Sequence, residues 1–349
     1  MESMFYGLTV KDVRQLAFQL AERNQLKHPF NKNTGLAGED WFEGFKKRHP
    51  EISLRSPEAT SIARSQGFNA VSVNKFFEIL KSVLGDKNFP SHRIFNVDET
   101  GITTVQTRSN KVLARKGTKQ VGTITSAERG VLSTAVICMS PGGNFIPPML
   151  IFPRQRMKVE LQDGAPPGTV FSCNGSGWMQ METFGVWFDH FLNHVKPTRE
   201  DPALLIMDGH LTHTKNFDVI IRARENNVTI ITIPPHCSHK LQPLDVSFMA
   251  PLNPFYIAAI EKFMRNNPGR SVTQFQVSKL FGEAYLKAAT PSTAISGFRK
   301  CGIIPFDPDV FQESDLLHHF QVTDLFQITL TVRPTQFLLT IPLTYLNNC

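Results

Sequence analysis

Three aspartates stand where a chain could bring hard oxygen ligands together. Asp208 follows the apolar run Leu204 to Met207, and Asp245 follows a second run, Val228 to Ile233, by way of Pro234-Pro235-His236. Asp98 lies within Arg93 to Glu99, which reads as a strand, more than a hundred residues earlier. A short uncharged apolar run ending in a carboxylate reads as a buried strand with an acid at its mouth. Two divalent cations about 4 Å apart can activate an attacking oxygen and stabilise the leaving oxygen of a phosphodiester. Magnesium takes only a few carboxylate oxygens, the rest coming from water and phosphate. Three acids at strand tips and a helix start suit that chemistry. Each also has a local reading: Asp98 before a turn, Asp208 in an Asp-Gly turn, Asp245 as a helix N-cap.

His210, His213, His236 and His239 flank the acids, and Cys237 lies among them. Zinc is a candidate on ligand type, but the spacing matches no structural zinc pattern and the acids favour a harder ion. Orienting water or phosphate is the better role for these histidines, and loop histidines bonded to backbone fit equally well. Lys240 and Gln242 read either as phosphate contacts or as solvated surface.

Elements must carry these residues. Val131 to Met139 and Phe145 to Phe152 read as an antiparallel hairpin beside the Arg93 strand, with Pro147-Pro148 demoting part of the second strand to an edge or a bulge. Thr183 to Val195 reads as an amphipathic helix. Leu204 to Met207, Asn216 to Glu225 and Val228 to Ile233 form a strand–helix–strand unit, expected parallel and right-handed. Helical segments follow at 246–264, 271–289 and 290–300. The fold class expected is α/β, a mixed sheet flanked by helices, preceded by a small all-α segment.

That first segment, residues 1–85, holds three helical patterns. Thr9 to Asp12 has the form of a capping box. Gly38 to His49 carries acids in its first turn and Lys46, Lys47, Arg48 and His49 in its last, which suits the helix dipole. The basic end fits a helix-turn-helix DNA reader, and an ordinary helical bundle fits as well. From Met1 to Lys75 there are eleven Lys and Arg against eight Asp and Glu, a weak excess for DNA. The linker Gly85 to Ser91 separates this segment from a domain at 90–311. Residues 312–349 read as a tail, in which helical or alternating pattern is lost after about Asp324.

The 349-residue length gives room for about two domains. A net charge of +7 favours a polyanionic partner without proving one. Five scattered cysteines without a CxxC pair exclude a disulfide framework and point to a reducing compartment. The absence of a signal-peptide-like apolar core and of a membrane-length run reads as soluble and intracellular.

Asn96 to Gly101 (NVDETG), Leu205 to His213 (LIMDGHLTH) and Pro234 to Val246 (PPHCSHKLQPLDV) together resemble the DDE transposase domain of the pogo/Tigger branch of mariner-like elements. Centromere protein B and the jerky-like proteins are relatives in that branch. Gly38 to Arg64 resembles the second helix-turn-helix of the DNA-binding region these proteins share. The resemblance implies a ribonuclease H-like fold and catalytic, metal-holding roles for Asp98, Asp208 and Asp245. It further implies Mg²⁺ or Mn²⁺ in a two-metal site, double-stranded DNA as substrate and the nucleus as location. Within the helix-turn-helix, Lys46, Lys47, Arg48, Arg55 and Arg64 are the expected DNA contacts. The leading expectation is a transposon-derived protein that cleaves and transfers DNA strands. A domesticated DNA-binding protein without catalysis and a metal-dependent phosphoesterase are the alternatives; a homo-oligomer is left open.

Overall fold

A computed structural model describes residues 8–55, 67–87, 89–105, 116–117, 130–209 and 216–316. They fall into two compact units, one spanning 71–310, the other made from the described residues of 1–70 and those from Phe311 on.

In the smaller unit, α1 spans Val10–Arg23 and α2 Glu39–Arg48. The capping box at Thr9 forms as expected: the Asp12 carboxylate accepts from the Thr9 N–H at 2.9 Å, and the Asp12 N–H donates to the Thr9 hydroxyl. Arg14 ties the helices together, its Nε donating to the Ala37 carbonyl at 2.7 Å and its Nη1 pairing with Glu39. Trp41 and Phe45 stack beside Phe42. The end of the expected helix-turn-helix, with Arg64, lies outside the described residues, as do His210, His213 and the tail from residue 317.

The larger unit begins with α3, Ala70–Asp86. By its contacts this helix sides with the sheet domain rather than with α1 and α2, so the boundary falls nearer residue 70 than 85. Its inner stripe Val73, Phe76, Phe77 and Leu80 is buried at helical spacing. The sheet follows: β1 Ile94–Thr103, β2 Leu132–Met139, β3 Phe145–Pro153, β4 Val170–Asn174, β5 Ala203–Met207 and β6 Val228–Thr232. Their order is β4-β3-β2-β1-β5-β6. β1, β2 and β3 are antiparallel neighbours, whereas β1, β5 and β6 run parallel. This six-stranded mixed sheet flanked by helices is the α/β class expected from the sequence.

Two details differ from the sequence reading. β3 is not an edge: β4, too short to show alternation, pairs with it in parallel. The prolines sit at a bulge, the other alternative that the sequence offered. Cys138 pairs with Ile146 and Val136 with Met149, so β3 holds one extra residue around Pro147-Pro148. The carbonyl of Pro147 is bonded by His190 Nε2 at 2.8 Å. The other difference is β1, which runs on to Thr103, past the Glu99 at which the expected strand ends.

Alternation divides the sheet's side chains into two layers. Phe95, Val97, Val136, Cys138, Leu205 and Met207 face α4 (Met181–Val195) and α5 (Phe217–Glu225), packing on Phe184, Trp187 and Phe191. Ile94, Asn96, Asp98, Leu204 and Ile206 have the opposite parity. On that side lie α6 (Ser238–Leu241), a π turn at Leu244–Phe248, α7 (Met249–Asn266), α8 (Gln274–Ala288) and α9 (Pro291–Lys300). Arg93, read as the start of a strand, precedes it and braces the sheet. Its guanidinium pairs with Asp201 and donates to the Val195 carbonyl.

Candidate functional site

Strand register sets the first two acids level. Asn96 of β1 lies opposite Ile206 of β5, so the same offset carried two residues on sets Asp98 level with Asp208. Both then lie on the face away from α4. The ladder between β1 and β5 stops at Asn96 and Ile206, and the strands part there.

Two amides fill the gap and bring in the third acid. Asn96 and Gln242 are completely buried. Asn96 Nδ2 donates to the Ile206 carbonyl at 3.0 Å and to Gln242 Oε1 at 2.8 Å. Gln242 Nε2 donates to the Val97 carbonyl at 2.9 Å. The Leu244 N–H donates to Asn96 Oδ1 at 3.1 Å. This lock fastens the chain just ahead of Asp245 to the strand that carries Asp98. The reading of Gln242 as a surface phosphate contact is thereby corrected, because its amide is consumed inside the protein. Asn96 escaped notice in the sequence, although Asn-x-Asp on a strand puts both side chains on one face. A glutamine between the buried Leu241 and Leu244 was the matching signal.

Asp245 lies on the π turn rather than on a regular helix start. Pro243 precedes it, and the Ser247 hydroxyl donates to the Pro243 carbonyl at 2.9 Å. Helix α9 presses on this turn at Gly297: a Cβ there would stand 2.7 Å from the Pro243 carbonyl oxygen. An extra turn residue with a displaced hydrogen-bond ladder is a recurrent way of presenting a functional side chain.

The charges of Asp245 and Asp208 both act on Asp98. Burial pushes the Asp98 carboxyl well above the usual carboxylate range. The charge of Asp245 adds to the rise, then that of Glu99, and last that of Asp208. The Glu99 N–H, donating to Asp98 Oδ1 at 2.9 Å, pulls the other way. Asp98, Asp208 and Asp245 each keep partial solvent access. Like-charged carboxyls crowded together favour a proton or a cation between them. All the donors are carboxylate oxygens, the chemistry of a magnesium or manganese ligand set. Among the described residues, however, no three His, Cys, Asp or Glu side chains close round one point tightly enough to hold a metal ion by themselves.

The remaining candidates are placed less closely. His236 is exposed and adopts a left-handed φ of 63°, reversing the chain between β6 and α6. His239 and Lys240, both half-buried, lie on α6. Cys237 is completely buried, with burial pushing its thiol up to about 11, which suits packing and not metal binding. In the smaller unit Lys46 pairs with Glu43 and lies over the Phe42 ring. Lys47, Arg48 and Arg55 are exposed.

Comparisons with known proteins bear on this arrangement. A curated protein of Cochliobolus lunatus, "MFS-type transporter clz9", is 26% identical over 239 residues, 64% of this chain. The match takes in 25% of that protein, so the chain spans about a quarter of its length. Among the described residues no helix is long and apolar enough to cross a membrane. Two solved structures resemble the fold. The Mos1 mariner paired end complex with Mn is 16% identical, with a TM-score of 0.48, covering 86% of this chain and 75% of that one. The Mos1 strand transfer complex is 15% identical, with a TM-score of 0.47, covering 88% and 82%. Finally, residues 130–288, from β2 to the end of α8 and including Asp208 and Asp245 but not Asp98, match the family model described as DDE superfamily endonuclease.

Proposed function

We propose that the chain is a transposon-derived DNA strand-cleaving protein of the pogo/Tigger type, in which Asp98, Asp208 and Asp245 form the catalytic centre. One observation carries the reading: the Asn96–Gln242 lock holds the segment before Asp245 against the strand that bears Asp98, level with Asp208. Asp98, Asp208 and Asp245 would hold Mg²⁺ or Mn²⁺, with water and the phosphate of the scissile bond completing the ligand sphere. Bound there, such ions supply Lewis-acid activation of the attacking oxygen and stabilisation of the leaving one. The chain's own part is positional. Strands β1 and β5 fix two carboxylates on a rigid sheet, the lock fixes the third, and the raised affinity of Asp98 for a proton is relieved by a cation instead. His239 and Lys240, on the helix just before Asp245, are suited to orient water or phosphate. The helix-turn-helix contacts at Lys46, Lys47, Arg48, Arg55 and Arg64, and a nuclear location, belong to the same proposal.

The test is nicking of supercoiled DNA in Mg²⁺ and Mn²⁺ by the wild type and by Asp208→Ala. Loss of nicking in the variant is expected; equal background nicking from both sinks the catalytic claim. A second reading, a domesticated DNA-binding protein whose acids are scaffold, draws on the acids' failure to close tightly round one point among the described residues. Salt-dependent DNA binding with no metal-dependent cleavage favours it.

A further inference from the structure

The segment that follows β3 reads Pro153-Arg154-Gln155-Arg156-Met157-Lys158, three cations in six residues. Arg156 and Lys158 are exposed and Arg154 is half-buried. Among the described residues none of the three has an acidic partner within ion-pair distance. Two of them converge on one aromatic ring instead. The Arg154 guanidinium lies 5.4 Å and the Lys158 ammonium 5.8 Å from the centroid of Phe275, at the start of α8. A ring face attracts and pins cations without neutralising them. Glu160 and Asp163 come only afterwards, so the positive charge is confined to this short stretch.

Its place in the sheet gives the charge a direction. β3 is antiparallel to β2, which is antiparallel to β1, so β3 ends at the same end of the sheet as β1. Register carries this further. Thr103 pairs with Leu132, and Thr134 with Ile151, so Pro153 stands level with Thr103. From Asp98 that is five residues along at about 3.3 Å each and two strands across at about 4.8 Å each, or about 20 Å. Beside it, the loop after β4 is held down by the Thr134 hydroxyl, which donates to the Gly177 carbonyl at 2.7 Å. That loop presents Trp178, 56% exposed. A Cβ on Gly177 would meet Pro153 at 2.9 Å, so only glycine lets the two loops touch.

We infer that Arg154 and Lys158, set against Phe275, and the exposed Arg156 between them hold the phosphate backbone of duplex DNA that leads away from the three aspartates. This rests on the proposed function, and extends it by naming a surface for the substrate outside the carboxylate site and outside the helix-turn-helix. Phosphates repeat every ~3.4 Å along a strand, so the basic segment meets the backbone about six nucleotides from the bond at Asp98. The exposed indole of Trp178 borders that path and offers a flat apolar contact beside it.

The experiment uses the full chain and a fluorescein-labelled 30-base-pair duplex in metal-free buffer, with affinity read by anisotropy against salt. The triple variant R154A/R156A/K158A should bind about tenfold more weakly or worse at 0.1 M salt, and its log–log salt slope should be smaller by about 2.7, three phosphates at about 0.9 each. A charge-conserving variant, R154K/R156K/K158R, should keep the wild-type slope, which separates loss of charge from loss of fold. An unchanged slope and affinity in the alanine variant, or no duplex binding by the wild type, overturns the inference. Asp208→Asn in the same assay, followed by nicking in Mn²⁺, tests the other claim separately. A lost slope with no nicking by the wild type keeps this surface and removes the nuclease, whereas nicking with an intact slope does the reverse.

Discussion

Replacing Gln242 by Met should show how much of the site depends on one buried amide. The two side chains are similar in volume, so the change removes hydrogen bonds without opening a cavity. It removes the 2.9 Å bond to the Val97 carbonyl and the 2.8 Å bond from Asn96 Nδ2. Asn96 retains its donation to the Ile206 carbonyl at 3.0 Å. Two buried groups are therefore stranded, the Val97 carbonyl and one hydrogen of the Asn96 amide. Each stranded neutral group costs about 1–3 kcal/mol. Allowing for a water reaching the carbonyl, the expected loss is about 3 kcal/mol. Urea unfolding checks it, with emission from Trp187, completely buried against Phe184 and Phe191, among the signals followed. With a denaturant slope of about 3 kcal/mol/M, the midpoint should fall by about 1 M. Asn96→Leu/Gln242→Met should cost less than the two single changes summed, with a coupling of about 1–2 kcal/mol. Metal-dependent nicking should fall with the freed Asp245 segment even under conditions where the protein is folded. A loss under ~0.5 kcal/mol, or strict additivity, would refute the lock.

Three more expectations follow from the same geometry. Asp98 has a carboxyl pKa raised above its unfolded value, so the folded protein binds the extra proton and stability falls as pH rises through the window between the two values. Asp98→Asn should accordingly raise the melting temperature at neutral pH, with the gain vanishing toward pH 4, near the ordinary carboxyl value; a gain that persists undiminished in acid contradicts the shift. Gly297→Ala should destabilise by about 1–3 kcal/mol, because the added methyl meets the Pro243 carbonyl at 2.7 Å and must push α9 off the π turn; a melting temperature equal to wild type refutes this close approach. Thr9→Ala should cost about 1 kcal/mol through loss of the capping box on α1, read as reduced helicity on far-ultraviolet circular dichroism during mild heating, and unchanged helicity counts against it.

The sequence by itself determined which elements form, because local patterns act within a few residues. The helical spacing in α3 and α4, the capping box at Thr9 and the strand–helix–strand unit from Ala203 to Thr232 all follow from short-range periodicity. So did the candidate acids, since a carboxylate after an apolar run is visible without knowing where the run goes. β4 was illegible, five residues being too few to carry an alternation. Only the tertiary structure decided how Asp98 meets the other two. The register of β1 against β5 is set across more than a hundred residues, and the Asn96–Gln242 bond joins positions 146 apart. Such pairings depend on chain closure and on the burial of amides that need each other, which no window of sequence contains. For the same reason Gln242 read as a surface residue until the fold enclosed it, and three cations after β3 gained a direction only once the strands fixed which end of the sheet they share with the acids.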